Sequence, residues 1–145
     1  MKLEELQENW KNDATIDQSK LDSEALRTAN LHQKYIDLLT LYRIKIFKAD
    51  NKFLEMKGVR TRYYMGQMTQ AELEKYDLTQ YQYKNPLKAE LERLLETDSV
   101  LIDLSGSVFY YTTCFQYTEE VIKSLRNRGY DIKNSIEFMK FTSGM

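Results

Sequence analysis

The chain has 145 residues, with 21 Lys and Arg against 22 Asp and Glu and a net charge of −1, and its 42% hydrophobic and 30% charged residues exclude a wholly disordered polymer. One proline and five glycines exclude a turn-rich β-sandwich and favour long helices. One cysteine, Cys114, excludes an internal disulfide. No histidine and cysteine cluster has zinc spacing, and no apolar run approaches the about 20 residues that cross a bilayer.

The expectation is therefore an all-α, soluble, intracellular protein of one domain or one long interacting unit. A mean hydropathy of −0.61 implies modest burial within a single subunit.

Residues 2–12 place Leu3, Leu6 and Trp10 on one face of a short helix, with Glu4, Glu5 and Glu8 near its positive end. From Met1 to Glu24 seven acids stand against three bases, a net of −4. This acidic arm either packs on its own subunit or docks on a neighbour. Asp17 or Ser19 is placed to cap the next helix.

From Leu21 the positions Leu21, Ala25, Thr28, His32, Tyr35, Leu39, Tyr42, Ile46, Ala49, Phe53, Met56, Arg60 and Tyr63 follow steps of four and three. About six heptads of that period predict a rod of roughly 65 Å that packs along another helix, a coiled-coil-like seam. Apolar residues off the seam, Ile36, Leu41, Ile44, Phe47 and Leu54, ask for contacts on more than one side, which an oligomer supplies.

The second half of this helix, Arg43 to Tyr64, concentrates positive charge. Arg43, Lys45, Lys48, Lys52, Lys57, Arg60 and Arg62 stand against Asp50 and Glu55, a net of +5. Cations followed by Tyr63 and Tyr64 suit single-stranded nucleic acid, because phosphates need counter-charge and unpaired bases need flat apolar faces. The competing reading is a solvated or interhelical charge stripe. Arg60, on the seam, and Arg62 have no acid close in sequence, which favours an anionic partner or a helix that has left its neighbour there.

Gly66 predicts the end of this helix, and Thr69 to Glu72 has capping-box spacing for a short helix reaching Tyr76. Leu78 to Lys84 alternates apolar and polar residues, as a brief strand or an extended connector would. Its Tyr81 and Tyr83, with Tyr76, either extend a stacking surface or fill half-buried positions. Asn85-Pro86 predicts a helix start. A further helical run from about Ser99 to Arg128 has Gly129 as its expected stop, with Gly106 read as a close helix crossing and Cys114 and Met139 as core. In the last stretch Ile132, Ile136, Phe138, Met139 and Phe141 form an apolar patch suited to subunit assembly. The domain reading is 1–66, helical arm and basic helix, and 67–145, helical region with an oligomerisation tail, within one continuous unit.

No glycine-rich phosphate loop occurs, His32 has no neighbouring nucleophile to activate, and the pairs Glu119-Glu120 and Glu90/Glu92 read as solvated faces. The expectation is a binding protein with no enzymatic activity, cofactor or metal.

The opening MKLEELQENWKND with IDQSKL, the central VRTRYYMG, the segment after DSVL and the close IKSLRNRGYDIKNSIEFM are similar in order and spacing to the UvsY family, the recombination mediator proteins of T-even-type phages. The resemblance spans practically the whole chain. It implies a non-enzymatic factor in phage recombination, repair and replication, in the cytoplasm of the infected bacterial host. It further implies binding to single-stranded DNA, contact with a single-strand-binding protein and a RecA-type recombinase, and promotion of recombinase loading on covered DNA. A ring-like homo-oligomer of about six or seven subunits is implied too.

The family's DNA-binding motif, Lys-Ala-Arg-Leu shortly before Tyr-Tyr, is matched by Arg60, Tyr63 and Tyr64, with Gly58 in the place of the lysine and Thr61 in that of the leucine. Lys45, Lys48, Lys52, Lys57 and Arg62 complete the expected DNA-binding set.

Overall fold

The computed structural model describes residues 1–144, and among them every regular element is a helix, as expected of an all-α chain. In order these are α1 (Leu3–Ala14), one 3-10 turn (Gln18–Lys20), α2 (Leu21–Tyr64), α3 (Gln70–Lys75), α4 (Lys88–Glu96) and α5 (Ser99–Thr142). α2 and α5 are each 44 residues long. The chain divides into two compact units, one of Met1–Ile44 with Tyr111–Met145 and the other of Lys45–Tyr110. Both long helices pass from one unit into the other, so the units do not coincide with the sequence segments 1–66 and 67–145.

In the first unit Leu6 of α1, Leu31, Tyr35 and Tyr42 of α2, and Cys114, Val121, Ile122 and Leu125 of α5 form the core, flanked by Leu3 and Trp10. The three-and-four spacing on each helix puts these side chains on one stripe, and full burial of each is worth about 1.5–3 kcal/mol. The acidic arm thus packs on its own unit, while Glu4, Glu5 and Glu8 remain exposed. Polar side chains fix it. Asp13 accepts from Lys34 Nζ at 2.6 Å, from the Tyr35 hydroxyl at 2.8 Å and from Arg27 at 3.1 Å. Arg128, buried on α5, donates to Glu24 at 2.5 Å and to Thr28 at 3.1 Å. Asp17 caps the 3-10 turn by accepting from the Ser19 backbone.

In the second unit Val59, Met68 and Leu73 are buried together, with Met56, Tyr63, Tyr76 and Leu78 against them, so that α3 covers the C-terminal end of α2. Gly66 at φ +68° ends α2 in a left-handed turn, and Asp77 at φ 54° does the same for α3, a conformation aspartate tolerates better than most residues. The Thr69 hydroxyl accepts from the Glu72 backbone at 3.2 Å, as the capping-box spacing anticipates.

Four local expectations are corrected. α5 runs through Gly129 to Thr142, because at that exposed position glycine costs a helix only about 1 kcal/mol against alanine, too little to stop one anchored by Leu125 and Ile132. Gly106 is not a close crossing, for an added Cβ there would meet nothing within 4 Å. Asn85-Pro86 does not open α4, which begins at Lys88 behind Leu87 with no side-chain cap; Pro86 is buried and the Asn85 side chain sits beside Gly66. Met139 is not core but 51% exposed. The ambiguous stretch Leu78 to Lys84 is an irregular connector, since no second strand is available to pair with it.

Candidate nucleic-acid interface

All eight residues expected to meet DNA fall in the second unit. Lys45, Lys48 and Lys52 follow steps of three and four on α2 and share a face, with Arg62 further along the same side. Lys57 is turned about 140° away from Lys52. It borders a small hollow with Phe53, Leu95 and Leu101 instead of joining the lysine row. Lys48 and Lys52 are exposed, and Lys52 stands 3.6 Å from Glu55 across one helical turn, a pair of little energetic weight.

Arg60 and Tyr64 are placed differently from the sequence reading. The absence of nearby acids held only along the chain, because folding brings Asp98 to Arg60 and Glu72 to Arg62. Arg60 Nε donates to Asp98 Oδ2 at 2.6 Å, and Arg60 Nη2 donates to the Tyr64 hydroxyl at 3.3 Å. That hydroxyl in turn donates to the same Asp98 oxygen at 2.6 Å. The other oxygen, Oδ1, accepts from the backbone of Val100 at 3.0 Å and Leu101 at 3.1 Å, which makes Asp98 the cap of α5.

Burial pushes the Asp98 carboxyl up, but hydrogen bonds from Tyr64 and Arg60 and from the Leu101 backbone outweigh it and hold the group below its ordinary value. The same carboxylate raises Tyr64, after burial, and helps keep Arg60 charged against its own desolvation. At Arg60 the competing reading of an interhelical charge pair is the one the fold realises, because the acid it meets is Asp98 of the same chain.

The guanidinium also lies 4.7 Å from the Tyr63 ring centroid and 5.3 Å from that of Tyr64. Tyr63, Tyr64 and Tyr81 contact one another edge-on at 5.2–5.5 Å, and Tyr81 meets Tyr83 at 5.3 Å. Arg60, Tyr63 and the connector residues Tyr81 and Tyr83 border an open cleft of about 480 Å³. Tyr64 itself is buried, whereas Tyr63 is half-buried and Tyr83 is 77% exposed. The unexpected members of the site are Asp98 and Glu72, whereas Tyr81 and Tyr83 lie where one of the two alternatives read from the connector put them, beside Tyr63 at the cleft. Asp98-Ser99 before an apolar run is a legible cap, but nothing in the chain announces its bond to Arg60.

Of the expected oligomerisation residues, Ile132 is 2% exposed and belongs to the interior of the first unit, so it is not part of a free surface. Ile136 is half-buried, and Phe138, Met139 and Phe141 are exposed. Among the described residues no group of three or more His, Cys, Asp or Glu could hold a metal ion, and no helix is long and apolar enough to cross a membrane.

The fold and this surface define an all-helical protein that presents cations beside tyrosine rings, the pairing with which proteins hold unpaired nucleic acid. A family model described as recombination, repair and ssDNA binding protein UvsY matches residues 9–145, and the chain belongs to the UvsY family. It is 23% identical over 144 residues to the recombination protein uvsY of Enterobacteria phage T4, covering 99% of each chain. Crystal structures of the bacteriophage T4 recombination mediator protein UvsY share its fold. One matches with a TM-score of 0.84 at 22% identity, covering 99% of this chain and 98% of that one. Another crystal form matches with a TM-score of 0.83 at 21% identity, covering 95% and 98%.

Proposed function

We propose that this protein is a recombination mediator that binds single-stranded DNA and promotes loading of a RecA-type recombinase onto DNA covered by single-strand-binding protein. The observation that carries the reading is the lysine face of α2, Lys45, Lys48 and Lys52, on the helix that ends at the Tyr63 and Tyr81 cleft, in a chain of the UvsY family. The lysines, with Arg62 at the edge of their face, meet phosphates, and Lys57, turned away from that row, contributes only as charge near the strand. Tyr63 offers its ring to a base. Arg60 and Tyr64, tied to Asp98, hold that ring in place more than they reach outward.

Phosphate contacts of this number on one protomer bind weakly at physiological salt, and joining protomers in a ring-like homo-oligomer of about six or seven multiplies them on one strand. The exposed Phe138, Met139 and Phe141 supply part of the contact between protomers. Such an assembly favours the recombinase by holding the strand in a conformation that the single-strand-binding protein accommodates less well, which needs differential affinity and no chemical step. The exposed Glu4, Glu5 and Glu8 offer an acidic surface to the protein partners.

The test is a salt titration of binding to a fluorescent oligo-dT. Affinity should fall steeply with salt, with a slope shallower by about 0.7 for each phosphate that Lys48→Ala/Lys52→Ala leaves without a lysine. No binding in dilute buffer, or an unchanged slope, removes the single-strand reading. Failure to speed recombinase assembly on covered DNA, with binding intact, removes the mediator reading alone.

A further inference from the structure

The connector between α3 and α4 carries a second concavity, of about 650 Å³, bordered by Tyr81, Tyr83, Lys84, Pro86, Glu90 and Arg93. That volume is in the range of about 300–1,000 Å³ typical of small-molecule sites. Its walls combine two tyrosine rings and a buried proline with two cations and one carboxylate. Tyr81 and Tyr83 are both shared with the Arg60 and Tyr63 cleft, whereas Lys84, Pro86, Glu90 and Arg93 border this concavity and not that cleft. The ring contacts from Tyr63 to Tyr81 at 5.5 Å and from Tyr81 to Tyr83 at 5.3 Å make the aromatic surface continuous between the two. A ring as exposed as Tyr83, at 77%, contributes little to folding but presents a full face to a ligand.

We propose that this concavity is a further nucleotide subsite, in which a base stacks on Tyr83 while the adjoining phosphates pair with Lys84 and Arg93. The inference rests on the single-strand reading above, and it carries the strand off α2 onto the connector and α4. Stacking is indifferent to base identity, so the subsite accepts any sequence. Glu90 opposes the phosphate from one wall and keeps the backbone on the Lys84 and Arg93 side.

The experiment uses the full chain and an oligo-dT carrying 5-iodouridine, photo-crosslinked and mapped by peptide mass, beside titrations of Tyr83→Ala and Tyr83→Phe. Crosslinks should fall within 79–93 as well as within 45–64. Tyr83→Ala should weaken binding by at least about fivefold, with Tyr83→Phe within about twofold of the native chain, because the ring and not the hydroxyl stacks. The thermal melt of Tyr83→Ala should match the native one. Crosslinks confined to 45–64, or native affinity in Tyr83→Ala, overturn the subsite and leave the proposed function standing. A concavity that serves a peptide from a protein partner gives that same result. A native chain that neither binds nor crosslinks removes the proposed function itself.

Discussion

Arg60 and Asp98, 38 residues apart in the chain, form an ion pair of 2.6 Å with side chains 14% and 1% exposed. Removing one partner of a buried pair strands the other charge, which costs about 3–5 kcal/mol. Arg60→Ala should fall near the low end, about 3 kcal/mol, because Tyr64 and two backbone N–H groups still solvate the carboxylate. Arg60→Lys should recover little of it, since lysine lacks the planar fork that reaches Asp98 and Tyr64 together. Denaturant unfolding measures both, and an unperturbed Arg60→Ala midpoint would mean that the pair does not hold this unit together.

Acid should destabilise the fold through Asp13 and Asp98. Burial alone would raise both carboxyls, but Asp13 is lowered by hydrogen bonds from Lys34 and Tyr35, and Asp98 by those from Tyr64 and Arg60. Between the folded value and the unfolded value of 3.8, the unfolded chain binds more protons. The stabilisation is therefore complete above that window and disappears as pH falls through it. At the alkaline end Tyr35 and Tyr64 are raised above 10.0 by burial and by their carboxylate partners, so stability should fall again as pH climbs beyond that value. Melting temperature against pH checks both limbs, and Asp13→Asn should flatten the acid one.

Arg62 is paired with Glu72, which subtracts a cation from the α2 face. Glu72→Gln keeps a side chain suited to the third position of a capping box while freeing the guanidinium. Affinity for oligo-dT should rise, and the salt slope should steepen by about 0.7 if Arg62 then takes up one phosphate. Equal slopes in the two proteins would place Arg62 outside the strand's path.

The assembly proposed for the apolar tail is separable from folding by mutation. Phe138→Ser/Phe141→Ser alters exposed rings and should lower the mass measured by light scattering with the helical spectrum unchanged. Ile132→Ala should instead cost about 2–5 kcal/mol of stability, as a buried truncation does. A native mass in the double variant would assign assembly to other surfaces.

Most of the helical plan is legible in the residues. The three-and-four spacing through Tyr35 and Tyr42, the Gly66 turn and the Thr69 cap are local patterns, and each matches a local structure. What failed was punctuation whose strength depends on packing: Gly129 does not stop a helix anchored on both sides, and Asn85 lies two residues ahead of Leu87, the position from which α4 starts, with its side chain beside Gly66. The candidate surface was legible as charge and rings but not as partners. Asp98 and Glu72 meet Arg60 and Arg62 only through tertiary contact, so two cations that look unopposed along the chain are opposed in space.

Cys114, fully enclosed in the first unit, is the chain's one thiol. Since only a thiolate that reaches solvent reacts quickly with disulfide reagents, it should stay silent in the native state and label at the rate at which that interior opens. The protein thus contains its own clock for local unfolding, and a cysteine introduced on an exposed position such as Tyr83 could be tagged without first removing the native sulfur.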